Sequence, residues 1–169
     1  MERVSDHVNV VVTGPAGSAT RFVSRWLEAN PAVVARHWSM PSGDKWMSHW
    51  PTDFDFDGEW PEAVVLVLRS FESTIGSQVD RGIASCREEA EANIVQAQMR
   101  VLTWSVARGI PLYPLIYEEI LVAPASFAAL FRWLDVEPVE CPEPVVDGNV
   151  KHRVVEKKSC YLFGRDLNL

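Results

Sequence analysis

Cysteine is scarce in this 169-residue chain: Cys86, Cys141 and Cys160 are odd in number and far apart. Such spacing suits neither a disulfide frame nor a zinc site, so they read as free thiols of a reducing compartment. Long apolar runs are missing too, and none approaches the length needed to cross a bilayer. Met1-Glu2-Arg3 and the short run Val8 to Val12 do not form the pattern of a signal peptide. The expectation is a soluble, cytoplasmic protein without a membrane partner. Positive charge is in deficit, with 16 Lys and Arg against 23 Asp and Glu, a net charge of −7. That balance argues against bulk attraction to nucleic acid, so any phosphate site must be local. No internal repeat or low-complexity tract is present.

What is present suits one domain over residues 1–169. The length allows a real core, and the hydrophobic content of 47% is ordinary for a globular protein. Apolar runs and helical periodicities alternate. The pattern predicts strands near 8–13, 32–38, 63–68 and 111–117, and helices near 19–29, 72–80, 86–108 and 124–134. Asn30-Pro31, Gly82 and Gly109 supply stops. Alternating strands and helices imply an α/β fold with a mostly parallel sheet flanked by helices. Its ligand is expected at the carboxyl ends of the strands.

The stretch Val8 to Leu27, VNVVVTGPAGSATRFVSRWL, carries the most chemistry. An apolar run meets a loop of small residues, Gly14-Pro15-Ala16-Gly17-Ser18-Ala19-Thr20, and an amphipathic helix follows. Small side chains let backbone N–H groups approach a ligand, and the helix start adds the positive end of its dipole. Ser18 and Thr20 add hydroxyls. A plain turn between strand and helix is the bland alternative. The loop lacks the Lys of GxxxxGK[ST], and GxGxxG is also absent.

A second segment, EAVVLVLRSFESTIGS from Glu62 to Ser77, puts Arg69 at the end of a strand and Ser77 eight residues later. A guanidinium there can hold a phosphate dianion by paired charge-assisted hydrogen bonds, with a hydroxyl closing the site. A third, from Ile110 to Pro138, carries Tyr117-Glu118-Glu119-Ile120 and a helix with Phe127, Leu130, Phe131 and Leu134 on one face.

Together these segments resemble the sulfotransferases that use 3′-phosphoadenosine 5′-phosphosulfate (PAPS), over most of residues 8–138. The family's loop commonly reads G-x-P-[RK]-S-G-T-[TS]. Gly14, Ser18 and Thr20 match it, while Ala16, Gly17, Ala19 and Arg21 depart. The family's 3′-phosphate motif is an Arg at a strand end with a Ser eight residues on, as Arg69 and Ser77 are spaced. Ser70, Phe71 and Ser73 replace its usual Asn, Pro and acid. The third segment is similar to its late strand, Y-E-D-L turn and helix, with Leu134-Asp135 where the family has Leu-Gly. That segment supports the fold and not the chemistry.

The resemblance implies a P-loop-type nucleotide-binding fold and a sulfuryl transfer from PAPS to a hydroxyl or amine acceptor. The acceptor is a small molecule or glycan-like, the product is 3′,5′-adenosine bisphosphate, and no metal is required. Gly14, Gly17, Ser18, Ala19, Thr20 and Arg21 then hold the 5′-phosphosulfate, and Arg69 and Ser77 hold the 3′-phosphate. The loop Lys or Arg of the family is Gly17 here, so Arg21 becomes the nearest cation, with Arg25, Lys45 and Lys151 behind it. His37, after the second strand, is the expected base, with His49 second; its ordinary pKa suits proton abstraction near neutrality. Lys151 and Arg153, in the basic stretch DGNVKHRVVEKK, are expected to cover the nucleotide. An inactive binding module of the same fold and an ATP-dependent kinase are the alternatives.

Two further segments stand out. The segment 39–61 reads as an irregular loop, and Trp38, Trp46, Trp50 and Trp60 fall in or beside it. It suits an acceptor pocket or a satellite hydrophobic cluster equally. Asp53-Phe54-Asp55-Phe56-Asp57-Gly58 copies half of a calcium loop, but its twelfth position is Val64, so it reads as a solvated acidic turn. The tail at 147–169 ends near Tyr161-Leu162-Phe163.

Overall fold

The computed structural model describes residues 7–40, 60–142 and 145. Four strands form one sheet in the order β2-β1-β3-β4: β1 is Val8–Pro15, β2 Val33–Met40, β3 Ala63–Leu68 and β4 Leu112–Ile116. Every pairing is parallel. β1 and β3 lie inside the sheet with helices on both sides, which is why β3 reads as an unbroken apolar run and β1 as a mostly apolar one, with Asn9 and Thr13 buried in it. All eight residues of β1 are buried. Pro114 falls in β4, at the end of the sheet order, where a missing N–H costs no ladder bond.

Helix α1 (Thr20–Glu28) crosses from β1 to β2. Helices α2 (Phe71–Asp80) and α3 (Arg87–Arg108) cross from β3 to β4. The first crossover runs one way along the sheet and the second runs the other way. Right-handed crossovers of opposite direction land on opposite faces. The core divides accordingly. On one face Val10, Val12, Val65 and Val67 meet Val23, Trp26 and Leu27 of α1 and Phe127, Leu130 and Phe131. On the other Val64 and Leu66 meet Ala97 and Val101 of α3. Between β1 and β3 the direction of the crossovers reverses, the switch point at which such sheets open a crevice at the carboxyl ends of their strands.

The element boundaries differ from the sequence reading in three places. β2 continues to Met40, because β1 itself extends to Pro15 and the ladder runs with it to the pair Pro15 and Met40. The fourth strand stops at Ile116, and Tyr117–Val122 form a short helix, α4, where a turn was expected. The helix expected at 124–134 is a 3-10 turn, Pro124–Ser126, followed by α5 at Phe127–Trp133. Trp26 anchors this layer by stacking on Phe127, ring centroids 3.9 Å apart, and donating from Nε1 to the Val139 carbonyl at 3.2 Å. Asn30, expected as a helix stop, also ties the distal chain: its Nδ2 donates to the Glu137 carbonyl at 2.6 Å.

Among the described residues no helix is long and apolar enough to cross a membrane.

Candidate functional site

The site is built on the turn that ends β1. Ser18 N–H donates to the Pro15 carbonyl at 3.0 Å, and Gly17 sits in the turn's third position with φ of 92°. That angle is the one a type II turn asks of glycine. Ala19 follows at φ 70° and ψ 22°, a left-handed conformation that costs a non-glycine residue about 1–2 kcal/mol. Gly17 and Ala19 thus take positive φ on either side of Ser18, the kind of alternation from which anion-receiving arrangements of backbone N–H groups are built. The Ala19 carbonyl accepts from Phe22 and Val23 N–H and starts α1, but no side chain caps this helix start. Backbone strain and an uncapped helix end therefore coincide in one loop.

Close approach explains both glycines. A Cβ on Gly14 would lie 2.6 Å from the Val67 carbonyl of β3 and 2.6 Å from Ser18 Oγ. A Cβ on Gly17 would lie 2.9 Å from Ser77 Cβ and Oγ. Ser18 Oγ is thus turned back under the loop, buried and without a hydrogen-bond partner. Ser77 on α2 lies directly beneath Gly17 and is itself buried.

Arg69, at the end of β3, donates from Nη1 to the Gly17 carbonyl at 2.7 Å. Its guanidinium carbon stands 5.5 Å from the centroid of the Tyr117 ring, a cation–π geometry. Next to it Ser70 caps α2: its Oγ accepts from Ser73 N–H at 3.3 Å. The Ser70 N–H donates to Glu118 Oε1 at 2.8 Å, so a residue of α4 completes the cap of another helix. Gln78 closes the ring from behind, its Nε2 donating to the Ala16 carbonyl at 3.0 Å.

Gly14, Gly17, Ser18, Ala19, Thr20, Arg69 and Ser77 therefore gather at the carboxyl ends of β1 and β3. Arg21 is exposed on the first turn of α1. His37 stands apart from Arg69. It pairs with Val12, two residues below the Gly14 and Ser39 level, and shares the sheet face of Val33 and Ala35 with α1. The ring is exposed yet partly desolvated against α1. That desolvation lowers its pKa below the ordinary 6.5; Arg21 and Arg25 add to the effect and Glu28 opposes it. The shift favours the neutral imidazole, the form able to accept a proton.

Lys45, His49, Trp46, Trp50, the turn Asp53–Asp57, Lys151, His152, Arg153 and Tyr161–Phe163 lie outside the described residues. Gln78, Tyr117 and Glu118 are site residues that sequence reading missed. The Tyr117-Glu118 pair was visible as a motif, but only as a mark of the fold. Nothing local marks Gln78, whose partner is 62 residues away.

No protein-family model matches the chain, nor does any curated protein or solved structure.

Proposed function

We propose that the chain binds PAPS and transfers its sulfuryl group to a hydroxyl or amine acceptor. One observation carries the reading. Gly17, Arg69 and Ser77, which the sulfotransferase resemblance names as nucleotide-binding, meet through the 2.7 Å bond from Arg69 to the Gly17 carbonyl and the contact of Gly17 with Ser77. They meet at the switch point of a parallel sheet, where such sheets bind ligands. Backbone N–H groups of Gly17 and Ala19 and the start of α1 receive the 5′-phosphosulfate. Ser18 and Thr20 line its base. A guanidinium has five N–H donors, so one of them can hold the loop while Arg69 also takes the 3′-phosphate beside Ser77.

In the transfer, the acceptor oxygen or nitrogen forms a bond to sulfur as the bond from sulfur to the bridging phosphate oxygen breaks. The acceptor proton passes to neutral His37, and 3′,5′-adenosine bisphosphate leaves. Arg21, in the first turn of α1, offsets the charge on the leaving phosphate. An electrostatic contact of this kind is worth about 3 kcal/mol of barrier. Lys151 and Arg153 are proposed to cover the nucleotide.

A second reading, binding without transfer, is favoured by Gly17 itself. The family's cation at that position would need a Cβ where Ser77 already lies. Calorimetric titration separates the readings. The protein and Arg69→Ala are titrated with 3′,5′-adenosine bisphosphate, AMP and ATP with Mg²⁺. Preference for the 3′-phosphate that collapses in the variant supports the PAPS site, and an acceptor screen then tests transfer. Binding of ATP alone points to the kinase, and no binding of the bisphosphate refutes the proposal.

A further inference from the structure

The β1–α1 loop is held from behind at two successive carbonyls. Gln78 Nε2 takes the Ala16 carbonyl at 3.0 Å, and Arg69 Nη1 takes the Gly17 carbonyl at 2.7 Å. In a trans peptide the carbonyl and the N–H of one plane point in opposite directions. Drawing the Ala16 carbonyl toward α2 therefore turns the Gly17 N–H away from α2. Drawing the Gly17 carbonyl toward Arg69 turns the Ser18 N–H away from Arg69, where it closes the turn on Pro15. The shape of the loop is thus written by its carbonyl partners.

Gln78 is placed for this task by three contacts. Its side chain is 1% exposed, on the last turns of α2. Its own carbonyl accepts from the N–H groups of Ile83 and Ala84, which fixes the end of the helix. Its Oε1 faces Asn93 Nδ2 of α3 at 3.4 Å, so the amide oxygen points to α3 and the nitrogen to the loop. Packing alone would be served by Leu or Met, without the desolvation cost of a buried amide.

We propose that Gln78 is a positioning residue that holds the β1–α1 loop in its anion-receiving shape before any ligand arrives. A loop ordered in advance spares the ligand the entropy of ordering it, and affinity rises accordingly. The identity of the ligand rests on the nucleotide reading above, whereas the holding of the loop does not.

The test uses the full chain and two variants. Gln78→Met keeps length and volume but removes the donor. Asn93→Ala removes only the group that orients the amide and serves if Gln78→Met fails to fold. Amide exchange is followed in the ligand-free protein, with Ser18 and Phe22 as reporters of the loop and Val11 and Val65 as reporters of the sheet. Exchange at Ser18 and Phe22 is expected to quicken about tenfold in Gln78→Met, the loss of one hydrogen bond. A smaller change at the same amides is expected in Asn93→Ala, with the sheet amides at wild-type rates in both. Affinity for 3′,5′-adenosine bisphosphate is expected to fall about tenfold in Gln78→Met, with the loss in the entropy of binding. Unchanged loop exchange, or loss of protection spread equally over loop and sheet, overturns the proposal. A loop response as stated, with no binding of bisphosphate by the wild-type chain, supports the clamp and overturns the sulfotransferase reading alone.

Discussion

Gly17 carries two constraints at once, a φ of 92° and a neighbour, Ser77, within 2.9 Å of any added Cβ. Restoring the family's cation by Gly17→Lys should therefore lower stability, by about 2–3 kcal/mol through strain and overpacking. Denaturant unfolding measures it, and a stable variant with gained transfer activity would contradict the geometry. His37 supplies a pH dependence with a definite sign. Its folded pKa lies below the unfolded 6.5, chiefly through desolvation, so the native state binds protons less readily than the unfolded chain. The associated stability is complete above pH 6.5 and is lost as pH falls below it. Unfolding measured from pH 5 to 8 should show this slope, and His37→Gln should remove its share. NMR titration of the ring should give a midpoint below the ordinary histidine value. Ser18 shows where residue-scale reading fell short: its hydroxyl was legible as a donor, but its burial under the loop depends on the approach of β3 to Gly14.

At the scale of elements, helix ends show which signals are local. Gly109 closes α3 at φ 65°, with Ile110 N–H bonded to the Ser105 carbonyl and Gly109 N–H to the Val106 carbonyl. The stop was readable because glycine alone adopts this angle freely. α5 ends with the same pair of bonds, Val136 N–H to Phe131 and Asp135 N–H to Arg132, but the left-handed residue is Asp135 at φ 57°. Asp135→Gly should relieve that angle and raise stability by about 0.5–1 kcal/mol, measured by chemical denaturation. A loss would show that the aspartate side chain contributes more than its backbone costs. The cap of α2 was harder to read. Ser70 stood in the sequence only as a departure from the family's Asn, and Glu118 lies 48 residues away and joins it only because β4 runs beside β3.

For the molecule as a whole, the parallel sheet separates two ends. The candidate site lies at the carboxyl ends of the strands, whereas a depression lined by Val8, Glu62, Ala63, Pro111, Trp133 and Leu134 lies at their amino ends. Trp133→Ala, which removes a ring 5.3 Å from that of Tyr113, should cost about 1–2 kcal/mol of stability yet leave bisphosphate affinity unchanged. Coupled losses of both would mean that the two ends do not act independently. The amino-acid sequence by itself determined the four strands, the helices other than α4, the α/β class and the small-residue loop. Those features follow from apolar runs, helical spacing and glycine stops, all properties of neighbouring residues. Only the tertiary structure decided what holds the loop. Arg69 and Gln78 reach their loop carbonyls across 52 and 62 residues, from the end of β3 and from α2, which packs on α3. A buried amide and a strand-end guanidinium become partners of one turn because the sheet brings their backbones together, and no local pattern encodes that meeting.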